Sequence, residues 1–162
     1  MRMSRVWTLL ATWGIVALLS VTMGLPALYA QGALTQADYT EIQQLYAKYA
    51  MAIDAGDEAG WAGTFTPDGV FGTSKGTDQL KAFVKGFYGR FKGNARHWNS
   101  NLVITPAADG AKGSCYFYLL DVTTKAIVTS GIYTDALVKT PAGWRYRERV
   151  AKGDVAPPAA TK

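Results

Sequence analysis

An α+β domain, three helices packed on a curved antiparallel sheet, is the fold class that three observations on this 162-residue chain predict. Apolar residues recur at steps of three and four from the mid-30s to the low 90s, which is helical spacing. From Arg96 onward the spacing falls to two, which is strand spacing. Helices first and strands after is the order of an α+β domain, not of alternating βα units.

The chain opens on a segment that reads as a transit label. Arg2 and Arg5 are followed by no charged residue until Asp38, and Val6 to Leu28 is rich in Leu, Val, Ala and Trp. Ala30 followed by Gln31 suits signal peptidase, so residues 1–30 are expected to be a signal peptide and the protein periplasmic or secreted. The run is also long enough to span a bilayer, so an uncleaved anchor is the alternative. Gly24 and Pro26 break a helix late in the run and favour cleavage, after which no membrane contact is expected. Residues 31–152 then form one domain. Residues 153–162, with Pro157, Pro158 and small neighbours, read as a disordered tail.

Within the domain, Thr35-Gln36-Ala37-Asp38 has the form of a capping box. Ile42, Leu45, Tyr46, Tyr49, Ala50 and Ile53 continue it as one apolar stripe to Ala55, and Gly56 supplies the stop. Asp57 can cap a short second helix through Trp61 and Phe65, which are one turn apart. Thr66 to Gly69 reads as a turn, Val70-Phe71 as a short strand and Gly72 to Gly76 as a loop. Thr77 can cap a third helix through Leu80, Phe83, Val84, Phe87 and Phe91. Strands are expected at His97–Ile104, Cys115–Asp121, Ile127–Lys139 and Trp144–Val150. The turns between them are rich in Pro, Gly, Asp and Thr. A curved sheet wrapped round the long first helix makes a cone that encloses a pocket.

Composition removes several function classes. Seventeen basic against twelve acidic residues give +5, and the basic residues are scattered, which argues against nucleic acid. Arg145, Arg147 and Arg149 alternate along the last strand and read as its solvated face. Cys115 is the only cysteine, so no internal disulfide forms, and its apolar strand makes it a buried small residue. One histidine and one cysteine give no metal-ligand spacing, and no cofactor is expected.

That histidine opens a polar row. With period two, His97, Asn99, Asn101 and Val103 share one face of their strand, and Trp98, Ser100, Leu102 and Ile104 the other. If the first face looks into a cavity, it is a polar wall holding a proton-transfer group. Asn101 has a second reading, holding a backbone group at a strand irregularity.

Four segments together resemble the SnoaL-like proteins of the nuclear-transport-factor-2-like (NTF2-like, cystatin-like) superfamily. They are Tyr49 to Asp57 with Phe65-Thr66-Pro67-Asp68, Gly76 to Phe83, Arg96-His97 with Asn101, and Gly131 to Asp135 with Gly143-Trp144-Arg145-Tyr146. The resemblance covers roughly Thr35 to Lys152 and implies the cone fold, a small-molecule pocket and a homodimer joined through the sheet. It does not fix a reaction. Within the superfamily, scytalone dehydratase pairs an aspartate on the first long helix with a histidine at the start of a strand, and Asp54 and His97 fit those positions. Tyr49 fits the place of the oxyanion tyrosine of ketosteroid isomerase. The dehydratase's second histidine has no counterpart, its tyrosine before the aspartate is Ile53 here, and the isomerase's base would fall near Gly72.

Two functions follow as expectations. The first is a cofactor-independent lyase or isomerase acting on a small apolar cyclic or carbonyl compound. Asp54 orients His97, His97 is the general base, and Tyr49 holds an oxygen. Asn99, Asn101, Trp61, Tyr118 and Tyr133 form the binding wall. The second is a binding or interaction protein with the same pocket and no chemistry.

Overall fold

The structure is a computed structural model that describes residues 33–154. The expected leader, its cleavage point and nearly all of the expected tail lie outside the described residues. Among the described residues no helix is long and apolar enough to cross a membrane.

Helix α1 spans Gln36–Ala55, and its start is the capping box that the sequence predicts. Thr35 donates through N–H and Oγ1 to Asp38 Oδ2 at 2.9 and 2.6 Å, and Asp38 N–H returns to Thr35 Oγ1 at 3.2 Å. The other Asp38 oxygen accepts from Lys139 Nζ at 2.6 Å and from Trp144 Nε1 at 2.9 Å, so the cap also ties the helix to the sheet. Gly56 ends the helix in the left-handed region at φ 71°, which glycine adopts without strain. Lys139, then Thr35 and Trp144, hold the Asp38 carboxyl well below the usual carboxylate range. A depressed folded value means that this contribution is complete above about pH 4, where an unfolded aspartate ionises. It is lost as pH falls toward the folded value. Asp38→Asn should therefore cost about 1 kcal/mol at neutral pH and flatten the acid limb of the stability curve. Urea unfolding of both proteins at pH 7 and pH 3 checks this.

Asp57 caps α2, Glu58–Ala62, by accepting from Gly60 N–H at 2.8 Å. The helix ends at Ala62 with Gly63 as its cap, short of the expected Phe65, which instead opens strand β1, Phe65–Phe71; β2 is Ser74–Lys75. The expected turn at Thr66 to Gly69 is instead an irregularity inside β1, where its register shifts between Phe65 and Val70. Helix α3, Gly76–Phe91, starts one residue before Thr77. Its first turn is closed by Gln79 Oε1, which accepts from Lys75 N–H at 3.0 Å, and not by a Thr77 cap. The remaining strands, β3 Ala95–Ala107, β4 Gly110–Asp121, β5 Ile127–Thr140 and β6 Gly143–Gly153, are each longer than the sequence predicts. Gly153 pairs with Gly131, so the sheet extends into the first residue of the expected tail.

The six strands run in the order β2-β1-β6-β5-β4-β3. All neighbours pair antiparallel except β1 and β6, which are parallel, so the sheet is mixed where an antiparallel one was expected. The long excursion from β1 through α3 and back along β6 is what allows a parallel pair. Helix α1 lies against β3 and β6, and α3 against α2 and β1. The core between them includes Ile42, Tyr49, Ile53, Trp61, Leu80, Val84, Leu137 and Tyr146.

Two bulges decide which side chains enter that core. In β3 the register shifts between Ser100 and Val103, where Asn101 and Leu102 stand opposite Cys115 alone, and Asn101 takes φ 56°. In β6 Arg147 is the extra residue between Tyr146, paired with Leu137, and Glu148, paired with Ala136. An extra residue reverses the facing of everything after it. Cys115 is 2% exposed, and burial foremost pushes its thiol up to about 11. A thiol-reactive disulfide reagent at pH 8 should therefore label it only after unfolding, checked by mass spectrometry with and without urea.

Candidate functional site

Asp54 is in the last turn of α1, and His97 is two residues into β3. Packing of α1 against the β3 edge brings them together. Asp54 Oδ1 lies 2.6 Å from His97 Nδ1, and Oδ2 accepts the His97 backbone N–H at 2.8 Å. One carboxylate thus grips both the ring and the main chain of one residue. With the carboxylate ionised, Nδ1 carries the proton and Nε2 keeps its lone pair. Nε2 has no hydrogen-bond partner among the described residues. Both side chains are nine-tenths or more buried. The imidazole packs against Phe87 at 5.3 Å and meets the Tyr49 ring edge-on at 6.4 Å.

A cleft of about 420 Å³ opens between α1 and β3 beside this pair. Its β3 wall is His97, Asn99, Ser100, Asn101 and Leu102, and its α1 wall includes Tyr46, Ala50 and Met51. Asn99 Oδ1 is buried there without a partner among the described residues. A larger groove of about 830 Å³ lies between α1, α2 and the β5–β6 hairpin, but it contains neither Asp54 nor His97.

The other expected residues divide. Tyr49 is fully buried, and its hydroxyl has no partner of hydrogen-bonding geometry among the described residues. Burial pushes its phenol up to about 12, against the opposing charge of Arg149. Tyr133 is buried and stacks on Phe117 at 4.3 Å. Trp61 is a core residue, stacked on Phe83 at 5.5 Å and not in the cleft. The polar row holds for His97 and Asn99 only. The bulge leaves Asn101 exposed at the cleft rim, turns Val103 outward at 60% exposure and brings Leu102 and Ile104 against the core. Tyr118 is a correction: it stands beside Trp98 on the outer face of the sheet, away from the dyad.

The reading of Arg149 as solvated is also corrected. Only Arg147 of the three arginines is exposed, whereas Arg149 is fully buried. Its Nε and Nη2 donate to Asp135 Oδ1 and Oδ2 at 2.7 and 2.8 Å, and Tyr46 also donates to Asp135 Oδ2. The Tyr46 phenol is pushed well up by burial and then by the Asp135 charge. The guanidinium carbon lies 4.1–4.6 Å from the ring centroids of Tyr46, Tyr49, Tyr133 and Tyr146. Gly113, opposite Asp135 in β4, makes this possible, since a β-carbon there would stand 2.1 Å from the Tyr46 hydroxyl. The signal in the sequence was Asp135 itself, spaced by two from Tyr133 and Leu137 on an inward row. Among the described residues no group of three His, Cys, Asp or Glu side chains is placed to hold a metal ion.

Comparison with known proteins agrees with this fold. The sequence profile described as a SnoaL-like domain matches residues 35–150. No curated protein matches the chain. A protein with a cystatin-like fold from Nostoc punctiforme superposes with a TM-score of 0.67 at 27% identity, covering 77% of this chain and 97% of its own. A protein from Catenulispora acidiphila, solved in complex with S-DNPA, has a TM-score of 0.65 at 27% identity, over 74% of this chain and 96% of its own. An NTF2-like protein from Novosphingobium aromaticivorans shares the fold with a TM-score of 0.69 at 22% identity, over 76% and 86%. This chain belongs to the SnoaL-like family and has its NTF2-like, cystatin-like fold.

Proposed function

We propose that the α1–β3 cleft binds a small, largely apolar cyclic compound bearing a carbonyl or hydroxyl group, and that His97 moves a proton on it without a cofactor. The observation that carries this reading is the 2.6 Å contact between Asp54 Oδ1 and His97 Nδ1 beside an open cleft. A carboxylate in that place fixes the tautomer and leaves Nε2 to take a proton α to a carbonyl, or to give one to a departing hydroxyl. Half-buried Asn99 beside it, whose Oδ1 has no partner among the described residues, supplies a polar contact for orienting the ligand. The complex of the Catenulispora acidiphila protein with a small molecule supports a ligand-binding role for this fold. The reaction class is that of a lyase or isomerase.

The test is deuterium exchange. Cyclohexanone, 1-tetralone and 2-tetralone are incubated with the protein in D2O, and label α to the carbonyl is followed by mass spectrometry. Exchange above background in the native protein and its loss in His97→Asn support the proposal. A ketone that binds without exchange assigns the cleft to binding alone.

The same proposal places the protein outside the cytoplasm, cut after Ala30, and pairs two copies through the outer sheet face. That face exposes Trp98, Val103, Tyr116, Tyr118 and Val150. The mass of the chain recovered from the periplasm or medium tests the first point. Light scattering of native protein and of Trp98→Glu tests the second.

A further inference from the structure

Strand β3 ends the sheet: β4 pairs with it on one side, and among the described residues no strand pairs with it on the other. Its free edge is a row of main-chain groups, and the ladder decides which residues supply them. Val122 N–H donates to the Asn94 carbonyl at 2.8 Å, and opposed residues in an antiparallel pair alternate between bonded and unbonded. Arg96, Trp98 and Ser100 therefore bond to β4, whereas His97 and Asn99 turn N–H and C=O outward. The Asp54 contact agrees, since its Oδ2 meets the His97 N–H at 2.8 Å from outside the sheet. The carboxylate takes that N–H as a further strand would. The equivalent N–H and C=O of Asn99, two residues on, have no partner among the described residues. Beyond them the register breaks, with Asn101 at φ 56°.

Asn99 is thus a single open rung, with a carboxylate before it and a bulge after it. Adding a peptide strand takes several consecutive rungs, so this edge does not suit one. It suits a small molecule, and Asn99 lines the α1–β3 cleft of about 420 Å³. We propose that the cleft takes a cyclic α-hydroxy ketone, read by the main chain of Asn99. The ligand carbonyl accepts from the Asn99 N–H, and the ligand hydroxyl donates to the Asn99 C=O. The spacing follows from strand pairing. An amino-acid residue that fills such a rung carries its N–H and its carbonyl on either side of one carbon. An α-hydroxy ketone carries O–H and carbonyl in the same way, whereas a simple ketone or alcohol satisfies only half of the rung. The proposal names the substrate class of the cleft and rests on the reading of that cleft as a ligand site. His97 and Asn99 are one side-chain repeat apart on the same face, about 7 Å, so a fused ring held at Asn99 extends beside the imidazole. The carbonyl oxygen against the Asn99 N–H is where negative charge develops when a proton α to it leaves.

The test compares 2-hydroxy-1-tetralone with 4-hydroxy-1-tetralone, isomers that differ only in where the hydroxyl stands, by calorimetric titration of the full chain. The native protein should prefer the 2-hydroxy isomer by about three- to tenfold, the effect of one net hydrogen bond. In the free protein the Asn99 amide, followed by NMR, should exchange with solvent faster than those of Trp98 and Ser100. It should slow when the 2-hydroxy isomer binds. Asn99→Pro removes the outward donor without removing a ladder bond, and should lose the preference that Asn99→Ala keeps. Equal binding of the two isomers overturns the proposal and leaves the pocket reading standing. A preference lost in Asn99→Ala overturns it too, because the side chain would then be the reader. If Asn99→Pro fails to fold, the amide decides: an Asn99 amide already protected in the free protein, or unmoved by the ligand, overturns the proposal. If neither isomer binds, the proposal falls, and deuterium exchange of 1-tetralone and 2-tetralone shows whether the pocket reading falls with it.

Discussion

Asp135→Asn is expected to destabilise the fold by about 3–5 kcal/mol, the largest effect of any single substitution considered for this chain. The reason is Arg149, not the lost carboxylate. Both side chains are fully buried, and among the described residues the guanidinium has no other anion within reach of a hydrogen bond. Removing the negative charge leaves a positive one stranded among four tyrosines, whose ring faces return only part of the attraction. Domains of this size are stable by about 5–15 kcal/mol, so the variant should sit near the edge of folding. The double variant Asp135→Asn with Arg149→Gln removes both charges and should recover most of the loss. Urea unfolding of the four proteins measures the coupling. A double variant as unstable as the sum of the singles would show that the pair contributes shape rather than charge balance.

The second large effect concerns chemistry. His97→Asn should lower the proposed exchange of α-protons by about 10²–10⁴-fold, the usual span for a positioned general base. Asp54→Asn should lower it by up to about 10⁴-fold, since an amide there no longer fixes the tautomer that leaves Nε2 free. The two side chains hydrogen-bond to one another and not to the Asp135–Arg149 pair, so both variants should keep the native circular dichroism. Asp54 also accepts the His97 backbone N–H, and its amide can no longer accept at both positions. A modest loss of stability is expected there alone.

Much of this was legible in the chain. The capping box, the stripe from Ile42 to Ile53 and the stop at Gly56 are local signals, and local sterics and hydrogen bonds enforce them. The pairing of Asp54 with His97 was legible through the family resemblance, since 43 positions separate the two and no periodicity links them. What stayed hidden depends on the partner strand. Alternation gives the face of a residue only while the ladder is regular, and bulges are properties of two strands at once. Hence Asn101 faces out and Arg149 faces in, against plain alternation, whereas Tyr118 lies on the outer face of a regular stretch of ladder, because a strand aromatic suits either face until the core side is known. Trp61 was misplaced for another reason: a helical aromatic at apolar spacing fits core and pocket equally well until its neighbours are known.

The bulge at Arg147 gives this strand an arithmetic of its own. As a side chain, Arg147 reaches outward to an exposed ion pair with Asp109, a contact of little energetic weight. As a unit of length, it is what brings Arg149 to the inside. Exchanging Arg147 for another residue alters a surface detail. Excising it shortens the strand by one step, points Arg149 at solvent and abandons Asp135 in the core. At this position the fold is indifferent to spelling but not to insertion or deletion, and lineages of this protein should drift freely in the letter while keeping the count.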